Sequence, residues 1–176
     1  LATRDASLVS DVKIMIREIV RLKLLPWERC LIPAQNVLTS LLVACDGSTM
    51  ASAASIYFIS TPVTSGHRES NLAVGASQIS KFSIPLNEGK ASLLGVENLI
   101  NLIQIIIQHP DIDKSKLNID VVVDASCLGH LLRPNISIKN RVISNVINGI
   151  RADNLTILKL LPDAIIRYGW GRGQKN

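Results

Sequence analysis

At 176 residues the chain is long enough for one domain with an appendage, and it can bury a sizeable core. Hydrophobic residues make up 47% and aromatics only 3%, so that core is aliphatic, built mainly from Ile, Leu and Val. A net charge of +5 and a pI of about 9.3 tolerate a polyanionic partner without demanding one.

The three cysteines, Cys30, Cys45 and Cys127, are odd in number and share no metal-ligand spacing. Cys45 and Cys127 flank the two candidate acids and read as small buried hydrophobes in a reducing compartment. No apolar run approaches the length of a membrane span and no secretory signal opens the chain. The expected location is therefore intracellular, cytoplasmic or nuclear. The first residue is Leu1 rather than Met, which reads as a processed product or a piece of something longer.

In chain order, residues 7–25 carry a helical stripe of Leu8, Val12, Met15, Ile16 and Ile19 behind the candidate cap Ser7. Pro26 ends it, and residues 26–35, with Trp27 and Pro33, read as a linker. Residues 1–36 are thus expected to form a helical connector, and residues 37–176 a separate domain. That domain opens as a β-meander. Its first strand runs through Leu41-Leu42-Val43-Ala44-Cys45 into Asp46-Gly47-Ser48, a pattern of a strand buried on both faces with a turn after it. Residues 51–60 give a second strand whose small residues (Ala51 to Ser55) suggest close approach by another element. Residues 61–70 are a loop, where His67 reads as solvated, and residues 71–82 a third strand interrupted by Gly75.

Residues 85–108 carry the strongest helical stripe: Ala91, Leu94, Leu99, Leu102, Ile103 and Ile106. Asn87 reads as its cap, which puts Glu88 in the first turn, where a carboxylate suits the helix dipole. After a charged turn at 111–116, Ile119-Asp120-Val121-Val122-Val123 runs into Asp124-Ala125-Ser126, a second copy of the strand-Asp ending. If the two strands are neighbours, Asp46 and Asp124 sit side by side, and two close carboxylates call for a divalent cation. The competing reading is that each Asp caps the turn or helix behind it. Helices are expected at 126–132 and 137–150, a last strand at 155–161, and a Gly-rich basic tail from Arg167.

Three antiparallel strands, a helix, a strand, two helices and a strand follow the layout of the ribonuclease H fold. The motifs also carry a family resemblance. Asp46-Gly47-Ser48 with Ile56-Tyr57 resembles the first-strand motif of the ribonuclease H domain in Pao/BEL-type retrotransposon polyproteins. Ile84-Pro85-Leu86-Asn87-Glu88, with Ala91, Leu93, Leu94 and Gly95, resembles the Ile-Pro-Arg-Leu-Glu motif opening that family's first long helix. Asp124-Ala125-Ser126 with His130 and Leu132 resembles its strand-Asp-Ser motif, and Asn140-Arg141-Val142 matches its Asn-Arg-Val. The N-terminal helix with Trp27 resembles the connector from reverse transcriptase to ribonuclease H.

The resemblance implies an α/β ribonuclease H-like fold with a five-stranded mixed sheet flanked by helices. It implies that Asp46, Glu88 and Asp124 are catalytic and hold two Mg²⁺ or Mn²⁺ ions. It implies an RNA–DNA hybrid as substrate, a reverse transcriptase polymerase domain as partner in the same polyprotein, and residence in virus-like particles, cytoplasm or nucleus. Three positions depart from the pattern. Leu86 replaces the motif Arg, and Ala125 the Ser after the second Asp. Gly169 is read as standing where the family's Asn-Pro-Ala-Asp segment, after the last strand, supplies a fourth acid. Three acids would hold the second metal less well. The alternative is a degenerate domain of the same fold, kept as a scaffold or protein-interaction module; a further one is an unrelated α/β binding module whose acids only cap turns.

Overall fold

The structure is a computed structural model that describes residues 36–63, 66–110, 112–124, 126–133 and 136–170, with residues 13, 14 and 17 ahead of them. Residues 13, 14 and 17 are helical; the rest of the expected connector lies outside the described residues. The chain divides into two compact units, Leu1–Cys30 and Leu31–Asn176, and the second holds the sheet.

That sheet has five strands: β1 (Asn36–Gly47), β2 (Ala51–Pro62), β3 (Glu69–Ile79), β4 (Asn118–Val123) and β5 (Ile165–Trp170), in the order β3-β2-β1-β4-β5. β1, β2 and β3 pair antiparallel, while β4 runs parallel to β1 and β5 parallel to β4. This is the mixed sheet expected of the ribonuclease H layout, and β1 and β4 are neighbours as their twin Asp endings suggested. β1 is not buried on both faces, however. Leu41, Val43 and Cys45 are buried, whereas Leu42 and Ala44 are only half-buried, so the strand alternates like one with a single covered face.

The covered face packs against α1 (Ile84–Ile106), which crosses β1 and β2. The small residues expected to admit another element do so here. A Cβ on Gly95 of α1 would lie 2.8 Å from Val43 Cγ1 and 3.2 Å from both Ala54 Cβ and Cys45 Sγ. Leu99 and Ile103 continue this face and are fully buried with Leu41, Val43, Ile56, Ile119 and Val121. On the far side of α1 lies α3 (Arg141–Leu160), against which Gly89 and Leu93 of α1 meet Val146 and Gly149. Between them in sequence are a 3₁₀ turn (Lys114–Lys116) capped by Asp113 and the short α2 (Ser126–Leu131).

Three boundary expectations are corrected. α3 starts at Arg141, with the Asn140 side chain accepting from the Val142 and Ile143 N–H groups at 3.0 and 3.2 Å, and it absorbs the expected strand at 155–161. A short run of Ile and Leu has no decisive period, and here Ile157 extends the buried stripe of Val146, Ile147 and Ile150 by two helical turns. The last strand is instead Ile165–Trp170, within what read as a basic tail. β3 is not interrupted at Gly75, which pairs with Ser55; its irregularity is at Ala73, left over between the pairs Ile56/Val74 and Tyr57/Leu72. Among the described residues no helix is long and apolar enough to cross a membrane.

Candidate active site

The parallel register of β1 and β4 fixes the site. Its last pair is Cys45 with Val123, both buried, so Asp46 and Asp124 come one residue later at the same level of adjacent strands. Neighbouring strands lie about 4.8 Å apart. Both carboxylates are exposed rather than buried, since each follows an inward-pointing residue and leaves by the opposite side. Beside Asp46, the small side chains of Ala44, Ala53 and Ser55 leave a shallow hollow of about 180 Å³, bounded by Tyr57.

The start of α1 is locked onto this end of the sheet. A Cβ on Gly47 would lie 2.4 Å from the Glu88 backbone N and 2.6 Å from the Asn87 carbonyl carbon, so only glycine permits this approach. Asn87 is not the helix cap. Ser83 is the N-cap, Pro85 lies in the first turn, and Asn87 is a fully buried residue inside the helix. Its side chain donates to the Ser48, Ser80 and Phe82 carbonyls, the last two at 3.0 and 3.4 Å, and accepts from Ser80 Oγ at 2.7 Å. Its own carbonyl accepts from Ser52 Oγ at 3.0 Å. One amide thus ties the β1–β2 turn, the end of β3 and the start of α1 together.

Because the helix begins at Ser83, Glu88 falls outside the first turn, and its expected helix-dipole role is withdrawn. Glu88 is 3% exposed and lies on the Cys45 side of the sheet. The structure therefore sets Asp46 and Asp124 at adjacent strand ends, while Glu88 is buried on the Cys45 side and is not gathered with them. Among the described residues, no three His, Cys, Asp or Glu side chains converge closely enough to hold a metal ion.

Gly169 is not the position after the last strand. It lies within β5, opposite Val122, so the segment that follows the last strand starts only beyond Trp170. His67 and His130 are exposed. Sequence reasoning missed the residues that frame Asp124. Trp170, at the end of β5, donates its indole N–H to the Asp124 carbonyl. Four residues back along the chain, Arg167 grips Asp120 through two bonds of 2.7 and 3.1 Å, which holds the guanidinium's proton still more firmly. Arg151 of α3 donates to the Leu131 and Arg133 carbonyls at 2.9 and 2.6 Å, fixing the end of α2. No local pattern marks such pairs, since each joins residues far apart in sequence.

Behind the carboxylates, burial pushes the Cys45 thiol up to about 12, against a partial offset from a Ser92 hydrogen bond and with a further push from Glu88. Burial likewise raises the Tyr168 phenol, whose O–H donates to Asn154 Oδ1 at 3.0 Å. Both groups fold as neutral forms. Their stabilising contribution is complete below their unfolded values of 9.0 and 10.0 and is lost as pH climbs above them. Urea midpoints are therefore expected to hold level from pH 7 to 8.5 and to fall above pH 9. The Cys45→Ala variant should delay that fall to about pH 10, where tyrosine begins to ionise. An unchanged alkaline slope in the variant would show that Cys45 does not govern it.

Neither a protein-family model nor a curated protein sequence matches the chain. Solved structures do. One is the N-terminal ribonuclease H domain of Rv2228c from Mycobacterium tuberculosis, in a fusion with maltose-binding protein, at 10% identity and a TM-score of 0.49 over 76% of this chain and 88% of that one. Another is the LC11 ribonuclease H1 isolated from compost by a metagenomic approach, at 12% identity and 0.48 over 76% and 86%. A third is the foamy viral protease-reverse transcriptase dRH in complex with double-stranded DNA, at 15% identity and 0.40, where 95% of this chain spans only 27% of that one. With its β3-β2-β1-β4-β5 mixed sheet and flanking helices, the chain has the ribonuclease H-like fold.

Proposed function

We propose that this domain is a metal-dependent ribonuclease H that cleaves the RNA strand of RNA–DNA hybrids within a retroelement reverse transcriptase. The observation that carries the reading is the parallel β1–β4 register, which sets Asp46 and Asp124 side by side and exposed at the strand ends. Two such carboxylates fit Mg²⁺ or Mn²⁺, because Mg²⁺ characteristically takes one or two carboxylates and completes its shell with water and substrate phosphate. When bound, the metal pair supplies an activated water and stabilises the leaving oxygen of the scissile phosphodiester. In this reading Asp46 and Asp124 would hold the metal; Glu88, the third acid that the resemblance implies, lies buried on the Cys45 side, away from their exposed face. The hollow beside Asp46 gives the substrate backbone room to approach. Hybrid is distinguished by its 2′-hydroxyls and helical shape, with phosphates held by the net positive charge. The motif resemblance supports the retroelement setting and a polymerase domain as partner.

A second reading has one observation in its favour. The described residues gather no three metal-ligating side chains, as expected of a degenerate domain that serves as a scaffold or protein-interaction module. End-labelled hybrid, duplex RNA and single-stranded RNA incubated with the protein in Mg²⁺ and in Mn²⁺ separate the two. Cleavage confined to the RNA strand of the hybrid is the expected result. Hybrid left intact in both ions would establish the degenerate domain instead.

A further inference from the structure

Beside Asp46, one corner of the sheet is both apolar and cationic. The Ser80 N–H donates to the Met50 carbonyl at 2.9 Å, which brings the segment after β3 against the β1–β2 turn. Asn87 ties it there, since its side-chain amide reaches both the Phe82 carbonyl, at 3.4 Å, and the carbonyl of Ser48, two residues past Asp46. Met50, Phe82 and Ile84 are 56%, 48% and 50% exposed at this corner. Apolar groups gathered in the open mark a binding surface where a single exposed side chain would not.

The charges at this corner select the partner. Lys90 of α1 holds its ammonium 3.7 Å from the centroid of the Phe82 ring, and Lys81 precedes that ring in sequence. Arg167, Arg151 and Lys114, by contrast, are engaged internally, with Asp120 or with backbone carbonyls. Among the described residues neither Lys81 nor Lys90 has a carboxylate partner, and residues 79–87 contain no acid. Packing on the ring confines the Lys90 stem, so less side-chain freedom is lost when its ammonium meets an anion. Asp46 and Asp124 by themselves repel a polyanion, so a strand laid across them needs cations at the edge of the site. A nucleic-acid strand, with phosphates for the lysines and base faces for the exposed apolar groups, matches both halves of the corner.

We propose that Lys81 and Lys90 form a backbone clamp at the edge of the candidate active site, their ammonium groups on phosphates of the bound hybrid, with Phe82 positioning Lys90. The clamp deepens the ribonuclease reading and rests on it for the identity of the hybrid. Fluorescence anisotropy of a labelled RNA–DNA hybrid, without divalent metal and over a salt series, tests it, with cleavage kinetics in Mg²⁺ alongside. Lys81→Gln and Lys90→Gln should each weaken binding about fivefold and each lower the slope of log Kd against log salt by about one. In cleavage they should raise KM rather than lower kcat, as does the loss of binding shared by ground and transition states. Phe82→Leu should lose part of what Lys90→Gln loses, and Phe82→Trp should keep the parent's affinity. Urea midpoints should stay essentially level across these variants, which separates lost contact from lost fold. Lys159→Gln, about 20 Å along α3 from the Val146 contact with α1, is the control and should change nothing. Lys81 and Lys90 variants that behave like Lys159→Gln overturn the clamp and leave the ribonuclease reading standing. A parent that neither binds nor cleaves hybrid overturns both. Binding without cleavage, weakened by the two lysine substitutions, upholds the clamp and removes only the catalysis.

Discussion

Asp46→Asn and Asp124→Asn are each expected to remove hybrid cleavage while leaving the denaturant midpoint essentially where it is. Loss of even an outer-shell partner of a metal ligand commonly costs roughly 10–100-fold, so loss of a ligand itself should cost more. Stability should not follow, because both side chains are exposed at strand ends and surface substitutions of this kind stay within about 0.5 kcal/mol. Mn²⁺ titration of the same variants gives a readout separate from turnover, and each should bind more weakly than the parent. Cleavage that survives both substitutions would place the chemistry elsewhere in the molecule.

Asn87→Ala should damage folding severely although it lies away from the aliphatic core. It leaves the Ser48, Ser80 and Phe82 carbonyls without their shared donor and strips Ser80 Oγ of its acceptor, all beneath a fully buried position. Each polar group left unsatisfied in such a place costs about 1–3 kcal/mol, and partial access to water offsets some of that, so we expect a loss of about 3 kcal/mol. Asn87→Asp should be no better, since it keeps the acceptor for Ser80 but offers no donor to three carbonyls and buries a charge. Hybrid cleavage in either variant should fall further than the unfolded fraction explains, because the same amide holds the β1–β2 turn that follows Asp46. Equilibrium urea unfolding measures the first effect. A loss below about 1 kcal/mol for Asn87→Ala would show that water replaces the amide at little cost.

The legible part of this chain is what rests on period and repetition. Apolar runs bounded by turn residues marked the three-stranded meander, and the two strand-Asp endings predicted correctly that β1 and β4 are neighbours. Asn87 was misread for a physical reason. An Asn just ahead of a helical stripe has the signature of a cap, and no sequence pattern reveals that the Ser48, Ser80 and Phe82 carbonyls claim its side chain instead. The residues 155–161 failed for a different one, since a short run of Leu and Ile fits a strand or a buried helical turn equally well. Tertiary packing against α1 decided for the helix. Displacing that strand also displaced Gly169, which moved from beyond the sheet to a place inside it. Trp170 and Arg167 could not be found, because their partners lie 46 and 47 residues away.

The parallel seam between β1 and β4 has a consequence for the order of folding. Its first pair, Ser40 with Asn118, closes a loop of 78 residues, whereas the β1–β2 hairpin closes through the turn at Gly47–Ala51. Closing the long loop costs more chain entropy before any pairing compensates, so the hairpins and α1 have the shorter route to structure. Asp46 and Asp124 therefore meet only when the chain's slowest contact is made. A nascent or partly folded chain would own each carboxylate separately, with the site itself arriving as the last event of the fold.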